Sequence, residues 1–239
     1  MNQTTTPSES AMVGEDCLRP GRFIDSDHPA VAAFAAEASG DASDPVASAV
    51  KLYYAVRDRI LYDPYVPSGD PDTYRASAVL ARGRGYCVGK ASLLAAAARA
   101  RGLAARIAFA DVRNHLATPR LLALIGTDVF IYHGITELWL GGRWVKATPS
   151  FNLALCEKFR IRPLDFDGRA NAVLHPFDRD GRQHMEYLRE HGSYADVPVH
   201  ILMPAMAQAY PRLVAFSKAP SGDFAKEAEE QGIKGGSSW

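Results

Sequence analysis

The chain has 239 residues, of which 47% are hydrophobic and 23% charged, a composition typical of a globular protein that buries a core. Its 27 lysines and arginines balance its 27 aspartates and glutamates, so the net charge gives no basis for binding nucleic acid or an anionic membrane. The three cysteines include no CxxC pair, which argues against a disulfide framework and favours a reducing compartment. No apolar run approaches the roughly 20 residues of a membrane span, and we expect a cytoplasmic protein.

The sequence predicts one domain with a flanking segment at each end. Residues 1–22, rich in Thr, Ser and Gln, are expected to form a disordered N-terminal segment. Residues 23–218 are expected to form the single domain, including a C-terminal helical extension. Residues 219–239 are expected to be a mostly disordered tail.

Helical periodicity predicts three helices in the first third of the chain, at 28–39, 46–61 and 76–81. Asp27 and Asp44 each precede a proline by one or two residues, and we expect them to cap the first two helices. The intervening stretch 62–71 is rich in Pro, Gly and Asp, which predicts a loop.

The most informative stretch runs from Gly83 to Gly102. Two glycines lead into Tyr86 and Cys87, and an alanine- and leucine-rich segment of high helix propensity follows until Gly102. Cys87 is therefore predicted at the first turn of a helix, where unpaired N–H groups and the helix dipole favour a thiolate. A thiol favoured in this way is a nucleophile, whereas the alternative is a small buried residue that closes the helix start.

Strands are predicted after this helix. Residues 105–112 have a strand pattern, 120–125 form a short helix, and 129–140 with 143–148 form a hairpin around Gly141 and Gly142. With those two glycines as the loop, the register pairs Trp139 with Trp144, Glu137 with Lys146, Ile135 with Thr148 and His133 with Ser150. His133 and Thr148 are then diagonal neighbours on one face of the hairpin. Further along the chain, helices are predicted at 182–191 and at 201–216.

A cysteine at a helix start followed by a histidine on a hairpin is the arrangement of a cysteine-nucleophile enzyme, because the imidazole accepts the thiol proton. Metal binding has less support, since Cys87, His115 and His133 have none of the usual zinc spacings and no HExxH motif occurs. His115 follows a predicted strand end, where it either lines the cleft or is a plain loop histidine. We expect no metal and no cofactor.

Several blocks in order resemble the transglutaminase-like (bacterial transglutaminase-core) superfamily: Gly85-Tyr-Cys87 at the elbow, Arg101-Gly-Leu-Ala-Ala-Arg106, His133-Gly-Ile-Thr-Glu137, and Arg143-Trp-Val-Lys-Ala-Thr-Pro149. The resemblance covers roughly residues 45 to 152. The resemblance implies an α+β fold of the papain/transglutaminase-like kind, in which the helical N-terminal part carries the nucleophile helix and packs on an antiparallel sheet.

By this resemblance Cys87 matches the nucleophile and His133 the general base, but the position of the family's aspartate is occupied by Thr148. A threonine hydroxyl can orient an imidazole and cannot stabilise its positive charge as an aspartate does. The family's tryptophan after the histidine is also missing. Asn152 would share the face of Thr148 if the strand continued past Pro149, and would then serve as an orienting amide.

The remaining site candidates have weaker support. The backbone N–H of Cys87 is expected to contribute to an oxyanion site. Tyr86 is a weak candidate for a further donor and is otherwise a core aromatic residue. A carboxylate from Asp165 or Asp167 is another candidate to enter the site.

The function that follows is attack on an amide or thioester carbonyl through a Cys87 acyl-enzyme. The acyl group then passes to water, as in a peptidase or amidase, or to an amine. The substrate is expected to be a peptide, a protein or a small acyl compound, and the sequence leaves the oligomeric state open. Two alternatives remain: an acyl-thioester cyclase or condensing enzyme on the same dyad, and a degenerate binding module in which Thr148 marks lost catalysis.

Overall fold

The structure is a computed structural model that describes residues 14–67, 69–115, 117–173, 185–214 and 223–235. The strands within these ranges are β1 (Leu61–Tyr62), β2 (Arg84–Gly85), β3 (Ala105–Asn114), β4 (Val129–Leu140), β5 (Arg143–Ala147) and β6 (Met185–Tyr194). The helices are α1 (Pro29–Ser39), α2 (Pro45–Arg59), α3 (Ala76–Arg82), α4 (Cys87–Ala100), α5 (Pro119–Ile125), α6 (Leu153–Phe159), α7 (Val199–Ala209), α8 (Pro211–Val214) and α9 (Phe224–Gly235). None of the described helices combines the length and apolar character needed to cross a membrane.

Helix α4 is the centre of the domain. Every residue of α4 except Ala100 is buried, because most of its side chains are small or apolar and its polar side chains Lys90, Ser92 and Arg99 donate hydrogen bonds to backbone carbonyls. Helices α1, α2 and α3 pack around it, and its other side lies against β4. The predicted long helix is therefore confirmed as the buried axis that fixes the position of Cys87.

The helix caps agree with the prediction at one site and differ at another. Asp44 Oδ2 accepts a hydrogen bond from the N–H of Ala47 at 2.7 Å and so caps α2, as predicted. At α1 the cap is His28, whose Nδ1 accepts from the N–H of Ala30 at 3.2 Å, and the prediction of Asp27 was wrong. His28 is adjacent to Pro29 at the first helical position, so its side chain is the one placed over the first turn.

The larger sheet has the strand order β5-β4-β3-β6, with every neighbouring pair antiparallel. The predicted hairpin register is confirmed where β4 and β5 pair: Leu140 is opposite Arg143, Trp139 opposite Trp144 and Glu137 opposite Lys146. The Trp139 and Trp144 rings meet edge to face at 5.4 Å. The short strands β1 and β2 form a separate parallel pair that leads into α4.

The register prediction fails beyond Ala147, where β5 ends. Thr148 donates its N–H to the carbonyl of Ala172 at 2.8 Å, and Ala172 donates to the carbonyl of Lys146, so a distant segment pairs with the edge of β5 that faces away from β4. Pro149 has no N–H to continue the ladder. The predicted pairs Ile135–Thr148 and His133–Ser150 are therefore absent from the observed register.

Residues 185–191 lie in strand β6, and the prediction of a helix at 182–191 was wrong there; residues 182–184 lie outside the described residues. The unpaired edge of β3 supplies backbone hydrogen bonds to this charged segment, and tertiary pairing overrides its local helix preference. The predicted helix at 201–216 corresponds to α7 and α8, which are separated at Tyr210.

Both flanking segments contain folded residues where the structure describes them. In the N-terminal segment Cys17 is buried, and the carboxylate of Asp196 accepts from the N–H groups of Arg22, Phe23 and Ile24. In the tail, α9 buries Phe224, while residues 1–13, 219–222 and 236–239 lie outside the described residues. The division of the chain into one domain and two flanking segments stays a prediction.

Candidate active site

Cys87 is the first residue of α4 and is 8% exposed. The turn that precedes it begins at Gly83, which ends α3 in a left-handed conformation with φ of 63° that favours glycine. Tyr86 occupies the N-cap position of α4 without making a side-chain cap. The predicted glycine elbow before the nucleophile helix is therefore present.

Strand β4 touches the first turn of α4 at Gly134. A Cβ atom at Gly134 would lie 2.7 Å from Cα of Val88 and 3.3 Å from the carbonyl carbon of Cys87, so only glycine permits this contact. The backbone N–H groups of Gly134, Val88 and Cys87 interact with the Cys87 sulfur. The sequence analysis did not identify this contact, although a glycine inside a strand often marks a close backbone approach.

The electrostatics of Cys87 differ from the expectation of a stabilised thiolate. Burial raises the pKa of the thiol to about 11, and the three backbone N–H groups only partly oppose this effect. Desolvation of the charged sulfur outweighs the favourable field of the helix start. The thiol is therefore protonated at neutral pH and needs a base before it can attack a carbonyl.

His133 directly precedes Gly134 and is buried. In the pairing of β4 with β3, Ala110 is opposite His133 and Val112 is opposite Phe130, so β4 has one extra residue immediately before His133. Such a bulge re-aims the neighbouring side chains. At this end of β4, His133 and Cys87 line the same cavity.

The shared cavity has a volume of about 70 Å³. Besides Cys87 and His133, its described lining is mostly apolar and comes from β3, β4 and the helices α5, α7, α8 and α9. Representative lining residues are Val112, Leu121, Phe130, Met206, Leu213 and Phe224. No Asp, Glu, Lys or Arg is among the lining residues in the part of the chain that the structure describes.

Comparison with known families identifies this arrangement. Residues 32–149, which include α4 and the β4–β5 hairpin, match the model of the transglutaminase-like superfamily. Over this stretch the chain resembles that superfamily. The resemblance stated from the sequence blocks is confirmed, as is the α+β fold of helices packed on an antiparallel sheet.

Among solved structures, the chain is similar to a protein from Cytophaga hutchinsonii that is provisionally assigned as a cysteine protease, with 17% identity and a TM-score of 0.47. The similarity covers 75% of this chain and 46% of that one, so this chain spans less than half the length of its structural neighbour. No curated protein matches the chain.

Thr148 occupies the position that the sequence resemblance assigns to the family's aspartate. The residue is buried, and its hydroxyl oxygen makes no hydrogen bond within the described ranges. Its backbone is held on both sides, because its N–H binds Ala172 and its carbonyl accepts from the Tyr53 hydroxyl at 3.3 Å. Thr148 is therefore a rigidly placed position whose side chain has no structural task in the described part of the domain.

Asn152 does not share a strand with Thr148, because β5 ends at Ala147. Its Oδ1 accepts from the N–H of Tyr62 at 3.2 Å, and its backbone precedes α6 at the N-cap position. The condition under which we expected Asn152 to orient the histidine is therefore not met. Its observed contact secures β1, whose Tyr62 lines the cavity.

The other candidates fall into two groups. Tyr86 lines the cavity and packs edge to face on Tyr74 at 6.0 Å, so it belongs both to the site wall and to the aromatic core. His115 is absent from the cavity lining and lies 3.7 Å from Glu186. Asp165 and Asp167 are also absent from that lining.

Glu137 and Lys146 are opposite each other in the hairpin, as predicted, but each forms an ion pair with another residue. Glu137 Oε2 accepts from Arg106 Nε at 2.5 Å and from the Ser193 hydroxyl at 2.8 Å, while Lys146 binds Glu190. Arg106 and Glu137 are members of two of the blocks that carry the family resemblance. Their ion pair fixes β3 to β4 behind the site.

Lys90 lies one turn after Cys87 and is completely buried. Its Nζ donates to the carbonyl oxygens of Arg57 and Ile60, the first at 2.9 Å, and so caps the end of α2. Burial lowers the pKa of Lys90 to about 7. This amine therefore gives up its proton in the folded protein at a much lower pH than in an unfolded chain.

Lys90 should make the stability of the domain depend on pH. Between pH 7 and the ordinary lysine pKa of 10.5, the unfolded state binds more protons than the folded state, so the free energy of unfolding rises with pH. The slope from this group approaches about 1.4 kcal/mol per pH unit. Urea unfolding between pH 7 and pH 8 measures it, because the raised pKa of Cys87 acts in the opposite direction once the pH approaches 9.0, the ordinary pKa of a thiol. Lys90→Met should remove the slope, and an unchanged slope in this variant would contradict the assignment.

Proposed function

We propose that this domain is a cysteine-dependent acyl-transfer enzyme in which Cys87 is the nucleophile and His133 the general base. The observation that carries the proposal is the contact of β4 with the start of α4 at Gly134, which brings the backbone of the histidine strand onto the cysteine. The match of residues 32–149 to the transglutaminase-like superfamily supports it. So does the cavity that both side chains line.

In the first step, His133 accepts the thiol proton as the Cys87 sulfur attacks the carbonyl carbon of an amide or thioester. A C–S bond forms, and the carbonyl electrons move onto oxygen as a tetrahedral intermediate. The backbone N–H of Cys87 at the helix start is the candidate donor to this oxyanion. Collapse of the intermediate breaks the bond to the leaving amine or thiol, which takes the proton from the imidazolium.

In the second step, His133 removes a proton from water or from an amine, and this nucleophile attacks the acyl-enzyme carbonyl. The C–S bond then breaks, and the thiol of Cys87 recovers its proton from His133. Hydrolysis gives an acid, whereas aminolysis gives a new amide. Hydrolysis is the default reaction because water needs no binding site of its own.

The acyl group that fits the cavity is neutral and apolar. The described lining offers aromatic, aliphatic and methionine side chains and no charged group to pair with a carboxylate or an ammonium on the substrate. A charged acyl chain would lose its hydration there without compensation. We therefore propose aliphatic or aromatic acyl groups as the substrate class.

Phe224→Ala should widen the acyl preference. Phe224 lines the cavity and packs on Phe159, so its truncation opens space on the side of α9. Each additional buried methylene is worth about 0.8 kcal/mol, or roughly fourfold in kcat/KM. In a series of p-nitrophenyl esters from acetate to octanoate, the variant should favour the longer esters by at least about tenfold relative to the wild type. Phe34→Ala on α1, which truncates a phenylalanine outside the cavity lining, is the matched control, and an equal shift in both variants would exclude Phe224 as a wall of the acyl site.

A non-catalytic binding module is the second candidate, because the pKa of Cys87 is raised and Thr148 replaces the family's aspartate. Such a module would hold the same apolar group without forming a bond to it. Transfer of the acyl group to a carbon nucleophile, as in a cyclase, would use the same two residues in the same roles.

The alkylation of Cys87 by iodoacetamide separates the two candidates. With a pKa of about 11, only about one thiol in ten thousand is ionised at pH 7, so an unassisted thiol should react faster by tenfold per pH unit up to that pKa. In an enzyme, Cys87 should react much faster at neutral pH than an unassisted thiol of this pKa would. His133→Ala should then lower the rate to that of the unassisted thiol. His200→Ala on α7 is the control, and peptide mass spectrometry locates the adduct. Identical profiles for the wild type and His133→Ala would reject the enzyme.

A further inference from the structure

Three side chains meet beside the candidate dyad, at the point where the sheet is least regular. Asp111 lies in the middle of β3, Tyr132 immediately precedes His133 on β4, and His191 lies on β6. The pairing of β3 with both neighbouring strands is irregular here. The β3–β4 register shifts between Ala110 and Val112, and the β3–β6 register shifts just before Ala110 and just after Asp111. We refer to Asp111, Tyr132 and His191 as the Asp111 clamp.

The backbone of Tyr132 has a conformation that a large side chain rarely adopts. Its φ is 53°, in the left-handed region. A residue held there is strained and persists only when its surroundings impose the conformation. Because Tyr132 is joined to His133 by one peptide bond, this conformation sets the direction in which the His133 side chain leaves the strand.

The surroundings that impose it are hydrogen bonds to both bulged residues. Asp111 Oδ1 accepts from the N–H of Tyr132 at 3.0 Å, and the Tyr210 hydroxyl accepts from the N–H of Ile131 at 2.7 Å. A neighbouring strand would satisfy these N–H groups in a regular ladder. Side chains satisfy them here, and they hold the extra residue in place.

His191 completes the clamp from the other side of β3. Its Nε2 lies 2.6 Å from Asp111 Oδ1, and both side chains are mostly buried. Its ring stacks on the Tyr132 ring with centroids 4.0 Å apart and planes 13° apart. The same residue therefore fixes the carboxylate that binds the Tyr132 backbone and covers the Tyr132 side chain.

We infer that Asp111 and His191 are positioning residues for His133, acting through Tyr132. This inference rests on the proposed function, in which His133 must reach the Cys87 thiol. A displacement of about 1 Å in a reacting group can reduce a rate by about a hundredfold. A clamp that serves only the stability of the sheet would affect unfolding and would leave the reactivity of Cys87 unchanged.

The test is a double-mutant cycle on the rate of Cys87 alkylation at neutral pH. Asp111→Ala should slow alkylation by at least about tenfold in the wild-type background and by less than about twofold in the His133→Ala background, because the clamp acts only through His133. Arg113→Gln is the matched control, since Arg113 forms an ion pair of 2.6 Å with Glu186 between the same two strands. This control should keep the wild-type rate.

A second pair of variants covers the case in which Asp111→Ala does not fold. Both variants lose the contact to Asp111. His191→Phe keeps an aromatic ring for stacking on Tyr132, whereas His191→Ala loses the ring as well. The alanine variant should lose more reactivity than the phenylalanine variant at a temperature where both are folded. If His133→Ala slows alkylation and the clamp variants do not, the clamp is structural and the inference is wrong, while the enzyme proposal stands. If His133→Ala has no effect, both fail together.

Discussion

Gly134→Ala is expected to remove the reactivity of Cys87 and to destabilise the domain. The new methyl group would lie 2.7 Å from Cα of Val88 and 3.1 Å from its backbone nitrogen, and these atoms belong to the first turn of a helix buried on all sides. Neither β4 nor α4 can give way without disturbing the core, so we expect a loss of about 3 kcal/mol in the free energy of unfolding. The strand would move away from Cys87 together with the N–H of Gly134 and with His133.

Urea unfolding and iodoacetamide labelling measure the two effects separately. Labelling at neutral pH should fall by about a hundredfold, to the rate of an unassisted buried thiol. Gly69→Ala is the control, because a Cβ there meets nothing within 4 Å. A Gly134→Ala protein with wild-type stability and reactivity would show that the contact between β4 and α4 is not needed to bring the dyad together.

The sequence was sufficient to predict the parts of the site that depend on local patterns. Tryptophans at 139 and 144 and the double glycine between them indicate the hairpin register, because a one-residue slip would place these side chains on opposite faces. The alanine-rich run after Cys87 predicts a helix whose first turn holds the thiol. These features are decided within twenty residues of chain, and the structure agrees with them.

The parts that failed depend on partners far away in the chain. The end of β5 pairs on its other edge with Ala172, which is 25 residues away in the chain, and the charged segment after Met185 is a strand because β3 has an open edge. Helix periodicity and charge pattern contain no information about either partner. The same limit explains the pKa of Cys87, since a helix start favours a thiolate only where water or a cation remains nearby, and here the core covers the sulfur.

Thr148→Asp is expected to increase the reactivity of Cys87 at neutral pH by at least about tenfold. By the sequence resemblance this position corresponds to an aspartate that orients the histidine and stabilises its positive charge, and removal of such a carboxylate from a serine-protease triad costs about ten thousandfold. Thr148 is buried with a hydroxyl that makes no hydrogen bond in the described part of the domain, so a carboxylate would have weak screening and no competing partner there. The alkylation profile should also move to lower pH, because a protonated His133 is stabilised.

Thr148→Asn is the matched control, since asparagine has the shape of aspartate without its charge. A gain in reactivity for the aspartate variant alone would place the carboxylate beside His133. Stability gives an independent readout, because an isolated buried carboxylate costs several kcal/mol whereas one paired with an imidazolium is largely compensated. Loss of stability in Thr148→Asp without a gain in alkylation rate would mean that residue 148 does not face His133. Any group that orients His133 would then differ from the aspartate that the superfamily uses.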